Sequence, residues 1–568
     1  MRLVIMTFCV LCLLGLTSAL AQTPPDAGSL QRESERSLQA PQTDPRVIPP
    51  APRPMAEDDK AARVTVQSIT ITGATLIASA DLEDLFKDII GQSLTLAELE
   101  YTAQRIVDVY RKGGWFVRTY LPQQDVTAGN IYIQVLESHY DGSRLEQQGN
   151  RASGSYVQNV VTHRLHQGEP LSADNLERGL LLANDLPGIR ATGLLEPGDA
   201  HSTSRVVVQV EDTPLLSGDF GISNHGIKST GEVQGVGGLA LNDLMGIGDR
   251  LSVRALAGSS IYSGALNYSL PLGHDGLRLT THGSFLEYKL KNRYRSLDAK
   301  GWAYTAGASL IYPLLRQLEH NLYISTGYEY RQFDDDMLGS ALHRHRVNAF
   351  TLGLAGDVRD SLWGGAITWG GAELTHGHLN IRNINDDRTF DAAGPDTHGS
   401  YTKANFYLNR LQSVGFGGLQ VLVGLTGQVA DGNLGSSERF SLGGPYRVRA
   451  YPVNEGNGDE GIFGKIELQK SLGTDWKAIA FYDVGHIRQH KKTWDNWEGG
   501  SGQPNSYSLS GVGLGLNWYG SDVLDGFSAS VCGAVPVDTN RGKDADGKNN
   551  DGSKAKAARA WATLNWYF

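Results

Sequence analysis

Two pairs of histidines come nearest to the spacing of a metal site. His343 and His345 are two positions apart, as are His376 and His378, so each pair would share one face of a strand. A zinc site needs three or four ligands, and the surrounding sequence supplies no third ligand to either pair. We therefore predict no metal, and we expect these histidines to be solvated or to lie at a membrane interface.

An acidic segment near the end of the chain has a faint likeness to a calcium-binding loop. Its acidic residues are Asp544, Asp546 and Asp551, with Gly547 between them. Lys548 stands where such a loop would place a ligand, and no helices are predicted beside it. We therefore expect this segment to be a mobile extracellular loop.

No sequence pattern points to catalysis. The chain has no Gly-x-Ser-x-Gly elbow, no phosphate-binding loop and no cysteine cluster. Adjacent carboxylates occur, but they fall in predicted loops or in a linker. The formal net charge is -10 and no block is rich in lysine and arginine, which argues against nucleic acid as a partner. We predict neither an enzyme nor a cofactor.

The N-terminal residues have the pattern of a secretory signal peptide. Arg2 supplies a positive charge, Leu3–Leu16 is an apolar run, and Ala19-Leu20-Ala21 is a small-residue cleavage site. Residues 1–21 are therefore predicted to be removed. Cys532 is then the single cysteine of the mature chain, so no internal disulfide is expected.

The composition after the signal peptide favours β-structure. The sequence holds 69 glycines, 23 tyrosines and 10 tryptophans, which suits a barrel with aromatic girdles. It has no later apolar run of about 18 residues, so no transmembrane helix is predicted. Residues 22–62 are rich in proline and polar residues and predict a linker, in which residues 29–38 could form a short helix.

The part of the chain after the linker is predicted to form two copies of a small α+β module. In the first copy, residues 63–138, a strand at 64–71 precedes a short helix and then a longer one. The longer helix begins at Thr95, where Glu98 completes a capping box, and it carries one apolar face. Two more strands follow, and residues 139–214 repeat the same order. One larger α+β domain is the alternative.

Residues 215–568 change to strands separated by glycine-containing turns. Apolar and polar residues alternate over segments of about ten residues, as in 262–272 and 560–568. Such alternation is what a barrel with a lipid-facing exterior and a wet interior requires. We count about 16 candidate antiparallel strands, an even number that suits a closed bacterial barrel with an aqueous lumen. A soluble β-sandwich gives similar alternation, but seldom so many long strands.

Motifs in both parts of the chain are similar to those of a known family. They are Ile71-Thr72-Gly73-Ala74-Thr75, Tyr110-Arg111-Lys112-Gly113-Gly114, Leu121-Pro122-Gln123-Gln124, Leu270-Pro271-Leu272-Gly273 and the terminal Trp566-Tyr567-Phe568. With them the chain resembles the TpsB transporters of two-partner secretion, the ShlB/FhaC/HecB haemolysin secretion/activation type. The resemblance implies a membrane β-barrel preceded by two POTRA domains. Phe568 resembles the mark read by the outer-membrane assembly machinery.

Two further motifs weigh most in this resemblance. Val448, Arg449, Ala450 and Tyr451 resemble the family's loop motif, Val-Arg-Gly followed by Tyr or Phe. Ala450 stands where glycine is common, and Val-Arg-Ala-Tyr also occurs in the family, so we interpret it as a variant of the motif. Its barrel-wall motif, Phe-x-Asp-x-Gly, is matched by Phe481, Asp483 and Gly485. In the family the arginine of the long sixth loop, here 431–459, reaches into the lumen and pairs with the wall aspartate. The resemblance therefore implies a gating ion pair between Arg449 and Asp483.

Elementary physics agrees with a lumenal aspartate. An ionised Asp483 facing lipid would be costly, so it should face the lumen, where a bidentate arginine suits it. Strand parity then places Lys477, Phe481 and Gly485 inside, and places Trp476, Ala478, Ala480, Tyr482 and Val484 against lipid. The alternative makes Arg449 an exposed loop residue and Asp483 a solvated charge.

The resemblance implies a transporter that moves one large unfolded exoprotein of the TpsA type from the periplasm to the cell surface. The POTRA domains would hold this client at exposed strand edges, and the barrel would conduct it. Loop 431–459 would occupy the pore at rest, and the helix at 29–38 could act as a second plug. The expected location is the outer membrane, with the POTRA domains in the periplasm. Outer-membrane lipid and the barrel-assembly machinery are the other expected partners. The alternatives are a barrel-assembly insertase, which usually carries more POTRA domains, and a passive porin-like channel, which lacks them.

Overall fold

The computed structural model describes residues 24–39, 63–200, 202–415, 417–499 and 501–568. The predicted signal peptide and most of the predicted linker therefore lie outside the described residues. Within the linker, helix α1 spans Ala27–Ser37, where the sequence suggested a helix at 29–38. Asp26 caps this helix, because its carboxylate accepts from the Ser29 N–H at 2.9 Å.

The first module is a three-stranded sheet covered by helices. Its elements are β1 (Arg63–Thr65), β2 (Ser68–Thr72), α2 (Ser79–Glu83), β3 (Ser93–Thr95), α3 (Leu96–Lys112), β4 (Val117–Tyr120) and β5 (Asn130–Glu137). The sheet order is β2-β5-β4, with β2 parallel to β5. The capping box predicted at Thr95 and Glu98 starts α3, whose apolar face packs on the sheet in a core of its own.

The second module repeats this plan with a separate sheet and a separate core. Its elements are β6 (His139–Gln148), α4 (Gly154–Thr162), α5 (Ala173–Asn184), β7 (Ile189–Pro197) and β8 (Thr203–Asp212). The sheet order is β6-β8-β7, with β6 parallel to β8. Two sheets with two distinct cores exclude the alternative of one larger α+β domain.

Sixteen antiparallel strands then close into a barrel. They are β9 (Leu216–Ser223), β10 (Gln234–Asn242), β11 (Arg250–Gly258), β12 (Ile261–Leu272), β13 (Leu277–Lys289), β14 (Lys300–Arg316), β15 (His320–Met337), β16 (Ser340–Asp360), β17 (Ala366–Ile381), β18 (Gly399–Ser413), β19 (Leu419–Ala430), β22 (Glu460–Leu472), β23 (Trp476–Arg488), β24 (Ser506–Tyr519), β25 (Phe527–Pro536) and β26 (Arg559–Tyr567). Pairing of β26 with β9 closes the ring. The predicted fold class, two small α+β modules before a barrel of about 16 strands, is confirmed.

The barrel has an apolar exterior and a polar, filled interior. On β12, Tyr262 and Leu266 are exposed while Ser263 between them is buried, so the apolar face points outward. Short turns lie at the barrel end that contacts the second module, which we call the near end. Longer loops lie at the distal end, and one of them contains helix α6 (Asn385–Ala393). None of the helices in the described residues is long and apolar enough to span a membrane.

Candidate functional site

The loop 431–459 connects β19 to β22 and folds back into the barrel. Two short strands, β20 (Phe440–Ser441) and β21 (Asn457–Gly458), pair within it. Its residues Leu442, Val448 and Tyr451 are fully buried in a cluster with wall residues of β22, β23 and β24. The loop is therefore a packed element of the lumen.

Arg449 of this loop lies against Asp483 of β23. The Arg449 Nε donates to Asp483 Oδ2 at 2.8 Å, Nη2 donates to Oδ1 at 2.7 Å, and the Arg449 backbone N–H donates to Oδ2 at 3.1 Å. A second carboxylate, Glu467 on β22, lies 2.9 Å from Arg449 Nη1. Asp483 is fully buried, so the arginine compensates a charge that has no access to water.

Each residue of the wall motif has a separate physical task. Phe481 stacks on the guanidinium of Arg449, whose Cζ lies 3.4 Å from the ring centroid. Asp483 binds the same guanidinium. Gly485 makes room for the loop, because a Cβ atom at this position would collide with the Leu442 side chain. The three residues share the lumenal face of β23, and Tyr482 between them is exposed on the outer face.

The other three residues of the loop motif, Val448, Ala450 and Tyr451, are also buried. Ala450 contacts β24 at Gly511, where any side chain would meet the Ala450 methyl group. The Tyr451 hydroxyl donates to the Asp538 carbonyl oxygen at 3.1 Å, and Trp561 Nε1 donates to the Arg449 carbonyl oxygen at 2.8 Å. An alanine in place of the more common glycine at 450 is therefore accommodated by a glycine in the wall.

A second anchor of the loop was not found from the sequence. Glu438, 1% exposed, forms ion pairs with Arg331 on β15 at 2.8 Å and with Lys403 on β18 at 2.9 Å. Arg331 also pairs with Glu329. The signal that could have revealed this anchor is an acidic residue in a loop assigned to the lumen, together with basic residues on lumenal strand positions.

Helix α1 occupies the lumen next to the loop. Ala27 and Leu30 are buried in a cluster of inward-facing wall residues, and the Gln31 amide donates to Ser284 Oγ of β13 at 2.8 Å. The Ala27 N–H donates to Asp335 Oδ1 at 2.9 Å. Asp335 and its neighbour Asp334 are buried within β15, so the expectation that adjacent carboxylates fall only in loops or the linker is wrong.

Helix and loop also bind each other. Arg32 of α1 donates to the carbonyl oxygens of Ser436 at 2.7 Å and Arg439 at 2.6 Å, and to Asn454 Oδ1 at 3.2 Å. Gly28 packs on Ser437, since a Cβ atom at 28 would lie 3.3 Å from the Ser437 Cβ. The two elements therefore fill the lumen as one unit.

Two sequence expectations about the distal end need correction. His343 and His345 do have a third potential ligand, because Asp387 of α6 contacts both. The segment around Asp551, expected to be a mobile extracellular loop, is bound to the long loop, since Glu455 accepts from Asn540 Nδ2 at 2.6 Å and from the Asn550 N–H at 2.8 Å. Both contacts join segments far apart in the chain, which local spacing does not reveal.

The remaining residues of interest are the C-terminal Phe568 and the cysteine Cys532, which packs against the lumenal cluster of the long loop. The Phe568 N–H and carbonyl oxygen pair with Gly218 at 3.0 and 2.9 Å, which extends the closure of β26 onto β9. Its role as an assembly mark stays a prediction. Cys532 is a free, half-buried thiol.

Comparisons with known proteins bear on both parts of the chain. A family model described as "Haemolysin secretion/activation protein ShlB/FhaC/HecB" matches residues 202–518, and one described as "POTRA domain, ShlB-type" matches residues 64–138.

The chain is 25% identical over 546 residues to the heme/hemopexin transporter protein HuxB of Haemophilus influenzae (strain 86-028NP), covering 92% of this chain and 93% of that protein. It is 25% identical over 560 residues to the outer membrane transporter CdiB of Escherichia coli O6:K15:H31 (strain 536 / UPEC), covering 92% and 89%. The solved structure of CdiB from Escherichia coli has the same fold, with a TM-score of 0.67 and 21% identity over 97% of this chain and 100% of that one.

Proposed function

Because the chain belongs to the ShlB/FhaC/HecB haemolysin secretion/activation family of outer-membrane two-partner secretion transporters, we propose that it exports its client through its own barrel. In this proposal helix α1 and loop 431–459 close the barrel at rest. The chain is thus a transporter of TpsA-type exoproteins and not an enzyme. This assignment replaces the insertase and porin alternatives.

The occupied lumen is the observation that carries the proposal. The loop is held to the wall at Arg449 and at Glu438, and α1 is held to the loop through Arg32. These contacts are polar and can be exchanged for water when the elements move. A client can pass only if at least α1 leaves this position.

The modules offer unpaired strand edges to an extended client. In the described residues β4 forms one edge of the first sheet and β7 one edge of the second. Tyr120 on β4 and Leu194 on β7 are exposed apolar side chains at these edges. We propose that main-chain hydrogen bonds to such an edge hold the client, with apolar side chains adding affinity.

Deletion of the gene tests the proposal. We expect one very large exoprotein to disappear from the medium and the cell surface and to return on complementation. An unchanged set of surface and secreted proteins would contradict it. A general loss of outer-membrane barrels would instead support an insertase, and impaired uptake of small solutes alone would support a porin.

A further inference from the structure

Three metal-ligating side chains meet at the extracellular mouth of the barrel. His343 and His345 lie on β16, and Asp387 lies on α6 in the loop between β17 and β18. His343 Nδ1 is 2.8 Å from Asp387 Oδ1, and His345 Nε2 is 3.0 Å from Asp387 Oδ2. The three ligand atoms all lie within 4.8 Å of one another.

We propose that these three residues bind one zinc ion. Zinc–ligand bonds of about 2.0–2.2 Å in a tetrahedron place neighbouring ligand atoms roughly 3.3 Å apart, so each histidine would move only slightly away from Asp387, and the three ligand atoms already lie within 4.8 Å of one another. Two imidazoles with one carboxylate form a donor set that suits zinc and leaves a fourth position for water. The site is unrelated to the contacts of Arg449 and Glu438, so it stands whether or not the loop takes part in export.

The surroundings favour a bound cation. All three residues line a cavity of about 920 Å³, into which the fourth position would open. Asp26 and Asp391 line the same cavity and add acidic groups to its wall. The Asp387 side chain is only 7% exposed, whereas those of His343 and His345 are 33% and 19% exposed. The carboxylate is thus largely shielded from water while an ion could still enter beside the histidines.

The ion would link two parts of the chain that the strand pairing of the barrel does not hold together. The histidines belong to a wall strand, whereas Asp387 belongs to a loop helix 44 residues beyond His343. A bound zinc would fix α6 against β16, next to the end of α1 that Asp26 caps. We therefore infer that bound zinc holds the extracellular loop between β17 and β18 against the barrel wall.

The chain contains a matched control. His376 and His378 on β17 have the same two-residue spacing, but their ring nitrogens contact the hydroxyl groups of Thr402 at 3.1 Å and Ser400 at 3.2 Å. Among the described residues, the cluster of three metal-ligating side chains includes the first pair and not the second. Only the first pair should therefore hold an ion tightly.

Calorimetric titration of the full chain in detergent with Zn²⁺ tests the site, after the affinity tag and bound metal have been removed. We expect one equivalent of Zn²⁺ in the unaltered chain and in the His376→Ala/His378→Ala double variant, and loss of that equivalent in His343→Ala and in Asp387→Asn. Heat-modifiable electrophoretic mobility reports barrel folding. If His343→Ala fails to fold, Asp387→Asn decides, because residue 387 lies outside the strand ladder. No saturable binding in the unaltered chain, or equal binding in the folded Asp387→Asn variant, overturns the proposal.

Discussion

The Nε and Nη2 atoms of Arg449 donate to the two carboxylate oxygens of Asp483, so a two-pronged ion pair fixes the long loop to β23. The same guanidinium also lies 2.9 Å from Glu467. Removal of one partner from a buried ion pair costs about 3–5 kcal/mol, because the other charge stays in a medium of low dielectric constant. Loss of Arg449 removes the arginine partner of Asp483 and leaves Glu467 with Lys465 at 3.6 Å, whereas loss of Asp483 leaves the arginine bound to Glu467.

This asymmetry predicts different effects for the two partners. We expect Arg449→Ala to reduce export of the client at least about tenfold, because in our proposal the loop keeps its place on β23 while α1 leaves, and a loss of about 1.4 kcal/mol from that anchored position lowers its population tenfold. Asp483→Ala should reduce export less. Export is measured as the amount of client in the medium, normalised to the amount of folded transporter in the outer membrane.

Arg410 provides the control for this comparison. It forms a similar two-pronged pair with Asp360, at 2.8 and 3.1 Å, near the end of the barrel that faces the modules. This pair involves no residue of loop 431–459, so Arg410→Ala should leave export unchanged. Full export by Arg449→Ala in a normally inserted barrel would remove the loop from the mechanism.

The positions of the site residues on the barrel wall could be predicted from the sequence, whereas many contacts of loop 431–459 could not. A strand has a period of two, so placing Asp483 in the lumen also places Phe481 and Gly485 there. The loop has no such period. Glu438 meets Arg331 across 107 positions of the chain, and Asp387 meets His345 across 42. Only the closed barrel brings such residues together.

Local patterns were sufficient for the module helices and insufficient for α1. The capping box at Thr95 and Glu98 lies within one turn, and α3 begins there as predicted. Helix α1 instead depends on its surroundings, because its contacts with Ser284, Asp335 and Ser437 come from distant parts of the chain. A sequence window therefore shows that a helix can form at this position and could plug the pore, whereas these distant contacts fix where in the lumen it lies.

The junction between the second module and the barrel depends on Asp275, in the turn between β12 and β13. Asp275 accepts from Arg164 at 2.9 and 2.7 Å and from the Tyr312 hydroxyl at 2.6 Å, and Arg178 lies 3.3 Å away. Burial alone would raise its pKa, but the hydrogen bonds from Arg164 and Tyr312 and the nearby arginine charges lower the pKa from 3.8 to about 2.

We predict that Asp275→Asn loosens this junction at neutral pH. Because the folded-state pKa is lowered, the stabilisation is fully present above pH 3.8 and is lost as the pH falls towards about 2. Distances between spin labels on the second module and the barrel should therefore broaden in the unaltered chain only at such acid pH. Asp185→Asn is the control. The Asp185 side chain is 43% exposed, so its ion pair with Arg316 should stabilise the junction by only about 0–1 kcal/mol. If the distances broaden equally in the Asp275→Asn and Asp185→Asn variants, the prediction that Asp275 stabilises the junction more than Asp185 is contradicted.

Glu137 is the polar centre of the first module. It is 5% exposed and accepts from the Tyr110 hydroxyl at 2.6 Å and from the N–H groups of Thr75 and Leu76 at 2.7 and 2.8 Å. Burial would raise the pKa of Glu137, but these hydrogen bonds outweigh it and lower the pKa below its ordinary value of 4.5. The charge of this residue therefore stabilises the module above pH 4.5, and this contribution decreases as the pH falls below it.

We predict that Glu137→Gln destabilises the first module by roughly 1–3 kcal/mol, because the amide cannot accept all of these hydrogen bonds. Hydrogen exchange of the module 1 amides in the full chain measures the loss, and exchange in the barrel should not change. The exposed Glu146 in the second module is the control, and Glu146→Gln should change stability by no more than about 0.5 kcal/mol. Unaltered protection in Glu137→Gln would show that Glu137 does not hold the module together.

A disulfide between α1 and the loop should lock the barrel shut. The Cβ position at Gly28 lies 3.3 Å from the Ser437 Cβ, close to the range of about 3.5–4.5 Å found in disulfides. The nearest obstacle, Ser436 Oγ, belongs to a hydroxyl that can rotate away. We therefore expect Gly28→Cys with Ser437→Cys, in a Cys532→Ser background, to form a bond in the oxidising periplasm and to abolish export and channel conductance.

Reduction separates the effect of the tether from that of the substitutions. With a reductant, both export and conductance should return to the level of the two single-cysteine variants, which carry the same changes without a bond. The oxidised double variant should also keep the heat-modifiable mobility of a folded barrel, since the tether joins only elements inside the lumen. If the oxidised form still exports the client at the rate of the reduced form, helix α1 does not need to separate from loop 431–459 during export. That result would exclude a mechanism in which α1 leaves the lumen while the loop stays in place.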